Sequence, residues 1–317
     1  MRPGLTGPGR AATLRTMEWL RDLYFSIFAN DVMVAPQYLA AALVVVWIVW
    51  RIRRPGSGFW AWAVPRRIWT HRSTRLDAQL FALNRVMNAF GLVAKFAVTP
   101  VVAAWISGLI PPLWPGIALS PVALALILWL AADFALYLSH RLYHENRTLW
   151  QLHTVHHSAE VLTPLTTYRQ HPLGVFFGTA LQSLVIGAIT GLIVGSLRPD
   201  TAFAQIAGLN AFILLTFYAN SVLHHSHIWL SYGPVLERIF ISPAQHQIHH
   251  SNDPRHFNRN YGNFLAIWDW MLGTLYIIRG PEDLVFGLDR DEHGAFMEHR
   301  FGTTMAEPLK RMVPGRQ

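Results

Sequence analysis

Long uncharged stretches alternate with short polar, basic ones along this chain. Val32 to Trp50 carries no charge and is long enough for one membrane span. Asp31 and Pro36 shorten its apolar part, so an interfacial helix is the alternative there. Phe96 to Ala132 is also uncharged, but Pro111-Pro112 and Trp114-Pro115-Gly116 interrupt it. That pattern predicts a helical hairpin, its first helix beginning near Phe81 and its second ending near Ser139. Pro172 to Leu197 and Thr201 to Leu223 predict a second hairpin, turning at Ser196-Leu197-Arg198-Pro199-Asp200. The expectation is an all-α integral membrane protein of about five transmembrane helices, two hairpins plus an N-terminal span, with a helical, histidine-rich cytoplasmic cap.

Charge orients this arrangement. Basic segments 51–75, 140–172 and 224–317 fall on one side of the five spans, and the two turns opposite carry almost no basic residues. By the positive-inside rule the N-terminus lies outside, and the histidine-rich segments and C-terminus lie in the cytoplasm. A bacterial inner membrane is expected, from the dominance of arginine over lysine. The first residues, Met1 to Arg21, lack the apolar core of a cleavable signal. Three regions follow: an N-terminal span with its basic interfacial loop (1–80), a catalytic domain (81–280) and a polar tail (281–317).

Composition agrees with a membrane chain. Of 317 residues, 52% are apolar and 14% charged, against about a quarter charged in soluble domains. The net charge of +8 comes from arginines flanking apolar runs, such as Arg51-Ile52-Arg53-Arg54, which favours membrane orientation over nucleic-acid binding. There is no cysteine. That excludes disulfides, thiolate-ligated haem and cysteine-ligated iron–sulfur clusters. Sixteen histidines leave imidazole as the dominant metal ligand.

The histidines are clustered. His140-Arg-Leu-Tyr-His144 places two imidazoles at i and i+4, on one helical face. Taken alone, the pair is equally a helix end bearing basic side chains. His153-Thr-Val-His156-His157 and His246-Gln-Ile-His249-His250 share one spacing, which is expected to place three imidazoles each along one helical face. They form a weak local repeat, Gln151 to Ser158 and Gln245 to Ser251. Eight neutral imidazoles exceed what one first-row ion takes, so two ions are the economical reading. Ligand type alone does not separate iron from zinc. A membrane zinc hydrolase and, less favoured, a metal-binding or transport protein therefore stay open beside a redox enzyme.

The order of these boxes resembles the fatty acid hydroxylase/sterol desaturase superfamily. Asp133 ahead of the first box, Tyr168-Arg169-Gln170-His171-Pro172, Asn260-Tyr261-Gly262, Trp268-Asp269 and Gly273-Thr274 are similar to its other motifs. The resemblance runs from Leu124 to Tyr276. It implies a membrane-bound, O2-dependent hydroxylase or desaturase with two iron ions, oxidising a fatty acyl, sterol or isoprenoid chain. It also implies a further histidine ligand between the second and third boxes. His225, in His224-His225-Ser226-His227, fits best, with His227 and His171 as alternatives. His224 is expected to pack rather than ligate. Asp133 has two readings: a partner fixing a ligand's tautomer, or a structural carboxylate bonded to N–H groups. Asp269 has the same two, with the structural one preferred. His71, His256, His293 and His299 stand singly among polar residues and read as surface side chains. No glycine-rich dinucleotide fingerprint and no cytochrome or ferredoxin module is legible. The implied reaction therefore needs a separate electron donor, a reductase with a ferredoxin- or cytochrome-type protein.

Overall fold

A computed structural model describes residues 34–114, 120–197 and 222–313. Among these the chain is helical, with two isolated β-bridges and no strand. Three helices are long and apolar enough to cross a membrane: α1 (Pro36–Arg53), α4 (Pro121–Glu145) and α6 (Pro172–Leu197). Between them lie α2 (Arg72–Ala89), α3 (Thr99–Leu109) and α5 (Arg147–His157). After α6 come α7 (Pro243–His249), α8 (Ile267–Leu272) and α9 (Phe301–Met312). The fifth expected span, Thr201 to Leu223, lies almost wholly outside the described residues.

The first expected hairpin is corrected in both arms. Its first arm is not one helix from Phe81. α2 already begins at Arg72, ends at Ala89, and is polar along much of its length. Gly91 then adopts φ +64 and a 3-10 turn follows at Ala94–Phe96 before α3 starts, with Pro100 in its first turn. A left-handed glycine ends a helix, and proline is tolerated only in a first turn. At eleven residues α3 is about 16 Å long, short of a 30 Å hydrocarbon core. The second arm continues past Ser139 to Glu145, so His140 and His144 ride on a membrane-length helix.

Two local devices bring the histidine motifs together. Asn146 ends α4 and caps α5 at once, its Oδ1 accepting from Thr148 N at 3.0 Å and Leu149 N at 3.1 Å. The break folds α5 back against α4, which sets the second histidine box beside the first. At α7, Ser242 and Gln245 form a reciprocal capping box, with bonds of 3.1 and 3.0 Å, immediately before the third box.

α3 lies along α6 on a stripe of small residues, Gly187, Gly191 and Gly195. A Cβ at Gly191 would sit 2.7 Å from the Ala103 carbonyl and 2.8 Å from Ile106 Cβ. Only glycine lets the two backbones approach this closely. Gly191→Leu is expected to cost about 1–3 kcal/mol of stability, read as a lowered Tm of the detergent-solubilised protein. Gly108→Ala, where nothing lies within 4 Å of the added Cβ, is the neutral control. Equal melting of the two variants would rule out this packing.

Candidate metal centre

The histidines form two abutting groups. His140, His144, His153, His157 and His249 make the first; His156, His225, His246 and His250 make the second. Within each, one nitrogen from every imidazole lies within 4.8 Å of all the others. The groups share a boundary, where His157 stacks on His250 with ring centroids 4.6 Å apart.

Each triplet is divided between the groups. On α5, His153 and His157 enter the first group and His156 the second. At α7, His246 and His250 enter the second and His249 the first. An i, i+4 pair shares one helical face, and the residue at i+3 points off it by a fraction of a turn. The spacing x2-His-His thus lets each element supply a pair to one group and a single imidazole to its neighbour. The expectation of one face per triplet is corrected accordingly.

The donor set fits metal ions. In the first group all five Nε2 atoms are buried and have no hydrogen-bond partner, an arrangement costly without a ligand. In the second, Nε2 of His225 lies 3.2 Å from that of His156 and 3.0 Å from those of His250 and His246, with His246 and His250 3.2 Å apart. Four imidazoles cannot all satisfy one another at that point, because each Nε2 offers one proton or one lone pair. Nitrogens sharing one ion at about 2.0–2.1 Å lie roughly 3 Å apart. Burial holds His153, His157, His225, His246, His249 and His250 well below the ordinary imidazole pKa, and neighbouring imidazoles add to this for most of them. Burial also takes His156 to about 3. These rings are neutral at physiological pH, as metal ligation requires.

Backbone and side chains aim the rings. His140 Nδ1 donates to the Tyr261 carbonyl and His249 Nδ1 to the Arg259 carbonyl, both at 2.8 Å. That places the proton on Nδ1 and the lone pair of Nε2 toward the group centre. Thr167 Oγ1 lies 2.9 Å from His225 Nδ1, and the Gln170 amide 3.3 Å from His156 Nδ1. Gln170 lies inside the Tyr168-Arg169-Gln170-His171-Pro172 motif and Thr167 immediately before it, and nothing else in the sequence marks either as a partner of a histidine.

Both acids accept hydrogen bonds from backbone N–H groups. Asp133 accepts from Phe264 N and Leu265 N at 3.2 Å and from Trp268 Nε1 at 2.8 Å, tying α4 to the segment before α8. Asp269 accepts from Tyr261 N, Gly262 N and Thr274 Oγ1 at 2.8, 2.7 and 2.6 Å. Burial nevertheless pushes its carboxyl up to about 6. Asp269 thereby fixes the peptide whose carbonyl orients His140. A Cβ at Gly262 would lie 2.5 Å from the Leu265 carbonyl, so the turn admits only glycine.

The two alternatives to His225 sit elsewhere. His171 Nε2 donates to the Met305 carbonyl at 3.1 Å, joining the start of α6 to α9. His227 Nε2 donates to the Trp62 carbonyl at 2.8 Å. His224 packs, stacked on His246 with centroids 4.8 Å apart. The surface reading fails for His256, His293 and His299, which are buried. His256 pairs with Glu282 at 3.1 Å, and His299 bridges Glu160 at 2.7 Å and Arg169 at 2.9 Å.

Two cavities reach the centre. One, about 380 Å³, lies among α2, α4 and α6 and touches His140 and His153 of the first group and His156, His225 and His246 of the second. The other, about 530 Å³, meets His144, His157, His249 and His250 from a polar segment.

Comparison with known proteins places this geometry. Residues 125–274 match the family described as fatty acid hydroxylase. The chain is 33% identical over 192 residues to the ornithine lipid hydroxylase OlsE of Rhizobium tropici, covering 60% of this chain and 52% of that protein. It is 32% identical over 165 residues to an alkylglycerol monooxygenase of Danio rerio, covering 50% and 32% of the two chains. A Delta(7)-sterol 5(6)-desaturase of Candida glabrata is 32% identical over 154 residues, covering 49% and 35%. The chain thus spans about half the length of the first relative and about a third of the other two. No solved structure matches it. All nine histidines of the two groups lie within residues 125–274, the segment that matches the fatty acid hydroxylase family.

Proposed function

We propose that this protein is a membrane-bound, non-haem di-iron oxygenase that uses O2 to hydroxylate or desaturate a lipid chain. The observation that carries the reading is the pair of abutting all-imidazole groups, both open to one cavity walled by two membrane-length helices. His140, His144, His153, His157 and His249 would hold one ion, and His156, His225, His246 and His250 the other. Two iron ions held there supply the reduction of O2 coupled to oxidation of a lipid C–H bond. The imidazoles fix the ions through neutral nitrogens, and the carbonyls of Tyr261 and Arg259 hold two of those rings in register. α4 and α6 set the lipid beside the centre, and burial keeps bulk water from it. Whether a bound chain is hydroxylated or desaturated depends on which C–H bonds the cavity turns toward the centre. The relatives include a hydroxylase and a desaturase, consistent with either outcome.

We place the histidine groups and the C-terminus on the cytoplasmic face of a bacterial inner membrane. Basic residues at the end of α1, Arg51, Arg53 and Arg54, support that orientation. Electrons come from a separate ferredoxin- or cytochrome-type donor.

Protein purified anaerobically is expected to hold about two iron ions per chain. With lipid extract and a reduced ferredoxin it should consume O2 in proportion to oxidised lipid. Two zinc ions, no O2 uptake and hydrolysis that persists without O2 would identify a zinc hydrolase and end the oxygenase reading.

A further inference from the structure

A helix that crosses a bilayer needs about 20 residues at 1.5 Å each. Counted from Pro121, where α4 begins, that length reaches His140. Trp129 and Asp133 then stand roughly 16 and 10 Å inside that end. Residues from far along the chain meet α4 at this level. Phe264 packs edge-on against Trp129 with ring centroids 5.3 Å apart, and Trp268 against Phe134 at 5.1 Å. Asp133 accepts from Phe264 N, Leu265 N and Trp268 Nε1. Phe240 packs in turn on Phe264 at 5.4 Å. Two pieces of chain, 233–240 and 264–272, are thereby joined to the membrane-crossing part of α4.

Non-helical backbone is tolerated at that depth only where protein groups satisfy it. Here Ile241 N donates to the Phe264 carbonyl at 2.9 Å, Ala266 N to the Ile239 carbonyl at 2.8 Å and Trp270 N to the Ala266 carbonyl at 2.9 Å. Asp133 takes the N–H groups of Phe264 and Leu265, which gives a carboxylate within an apolar helix a purpose. The two pieces also leave Val235, Leu236, Ile239, Trp270, Met271 and Leu272 exposed, Val235 and Met271 each by 70%. The bond between 239 and 266 holds them side by side. A face in water rarely gathers large apolar side chains in this way. Glu237 and Asp269 are buried, so Arg238 is the one exposed charge of these pieces. It bends back to the Pro234 carbonyl, and an arginine stem is long enough to carry its charge to lipid headgroups.

We infer that 233–240 and 264–272 are set into the bilayer beside α4, and that these six side chains meet the acyl chains of the leaflet on the histidine side. Part of the segment 224–317 is then held within the membrane and does not stand in water with the rest. Asn263, next to Phe264, lines the cavity that touches both histidine groups, so the same seat holds that cavity at acyl-chain depth. The inference rests on α4 crossing the membrane. It is independent of the oxygenase reading and of which metal the histidines hold.

The chain contains no cysteine, so a single introduced thiol carries a nitroxide label without competition. Val235→Cys and Met271→Cys are made in the full chain, labelled, and reconstituted in vesicles of phosphatidylcholine and phosphatidylglycerol. Leu126→Cys, at an exposed position of α4, and Arg255→Cys, at an exposed position among polar residues, are the references. Collisions of the label with O2, which concentrates in hydrocarbon, are compared with collisions with a water-soluble nickel chelate. The ratio of O2 to nickel accessibility at 235 and 271 is expected to match that at 126 and to exceed that at 255 about tenfold or more, because a polar chelate is excluded from acyl chains. A ratio like that of 255 at either position overturns the inference. Exclusion of both reagents from 271, with dipolar broadening between labels of two copies, would make this face a contact between proteins and overturns it as well. A water-like ratio at 126 would take α4 out of the membrane, and the inference with it.

Discussion

Alanine at His246 and alanine at His249 are expected to remove different metal ions, although the two residues are a single turn apart. His246 belongs with His156, His225 and His250, and His249 with His140, His144, His153 and His157. Each single variant should retain about half of the wild-type metal and lose roughly 100-fold or more of its turnover, since loss even of groups supporting a ligand costs 10–100-fold. The sharper result comes from pairs. His246→Ala with His250→Ala strikes one group twice and should lose little more metal than either change alone. His246→Ala with His249→Ala strikes both groups and should leave almost none. Residues of one site are non-additive and residues of separate sites add. Metal per chain, measured by elemental analysis beside product formation, decides it. If the second pair kept half the metal, the division of the third box between two ions would be wrong.

That division shows where the sequence stops being informative. Three-and-four spacing made each box legible as a helical ligand set, because periodicity is a local property. Which nitrogen meets which is not local. It depends on Asn146 folding α5 onto α4, on Asp133 holding 264 and 265 against α4, and on Asp269 holding 261 and 262. His225 and His171 both lie between the second and third boxes, and the sequence alone does not separate them as ligands. Pro172 starts α6 directly after His171, whose ring then meets α9 and not the centre. The same folding-back explains His299. It stands alone among polar residues in sequence, but the C-terminal segment packs over α5 and buries it against Arg169. The membrane-length helices α1, α4 and α6 were visible as apolar runs, and the fifth run was visible too but lies outside the described residues. The break between α2 and α3 was hidden, since Gly91 sits beside apolar neighbours that continue the hydrophobic pattern.

The largest stability effect is expected at a pair no ligand pattern marks. Arg169 and Asp77 are both fully buried and meet at 2.8 Å. Thr166 Oγ1 donates to the second carboxylate oxygen at 2.7 Å. The guanidinium also holds the end of α5: Nε donates to the Val155 carbonyl at 2.8 Å and Nη2 to Ser158 Oγ at 2.9 Å. These contacts bracket His156 and His157, so the pair holds the helix end that feeds both metal groups. Asp77→Asn keeps the shape but leaves the guanidinium's charge uncompensated in the interior. Breaking a buried pair on one side costs about 3–5 kcal/mol, and a comparable loss is expected for Arg169→Met, which strands Asp77 and two acceptors on α5. Removing both charges together strands neither. The double variant Asp77→Leu/Arg169→Met should therefore be less destabilised than the two single losses combined, by about 2 kcal/mol or more. Thermal unfolding in detergent measures the stability term. Metal content at low temperature, where every variant is folded, measures the other: it should fall in Arg169→Met and stay near the wild-type value in Asp77→Asn, because only the first releases Val155 and Ser158. Strictly additive stabilities would show that the charges do not act as a pair, and full metal retention in Arg169→Met would show that α5 holds its histidines without this clamp.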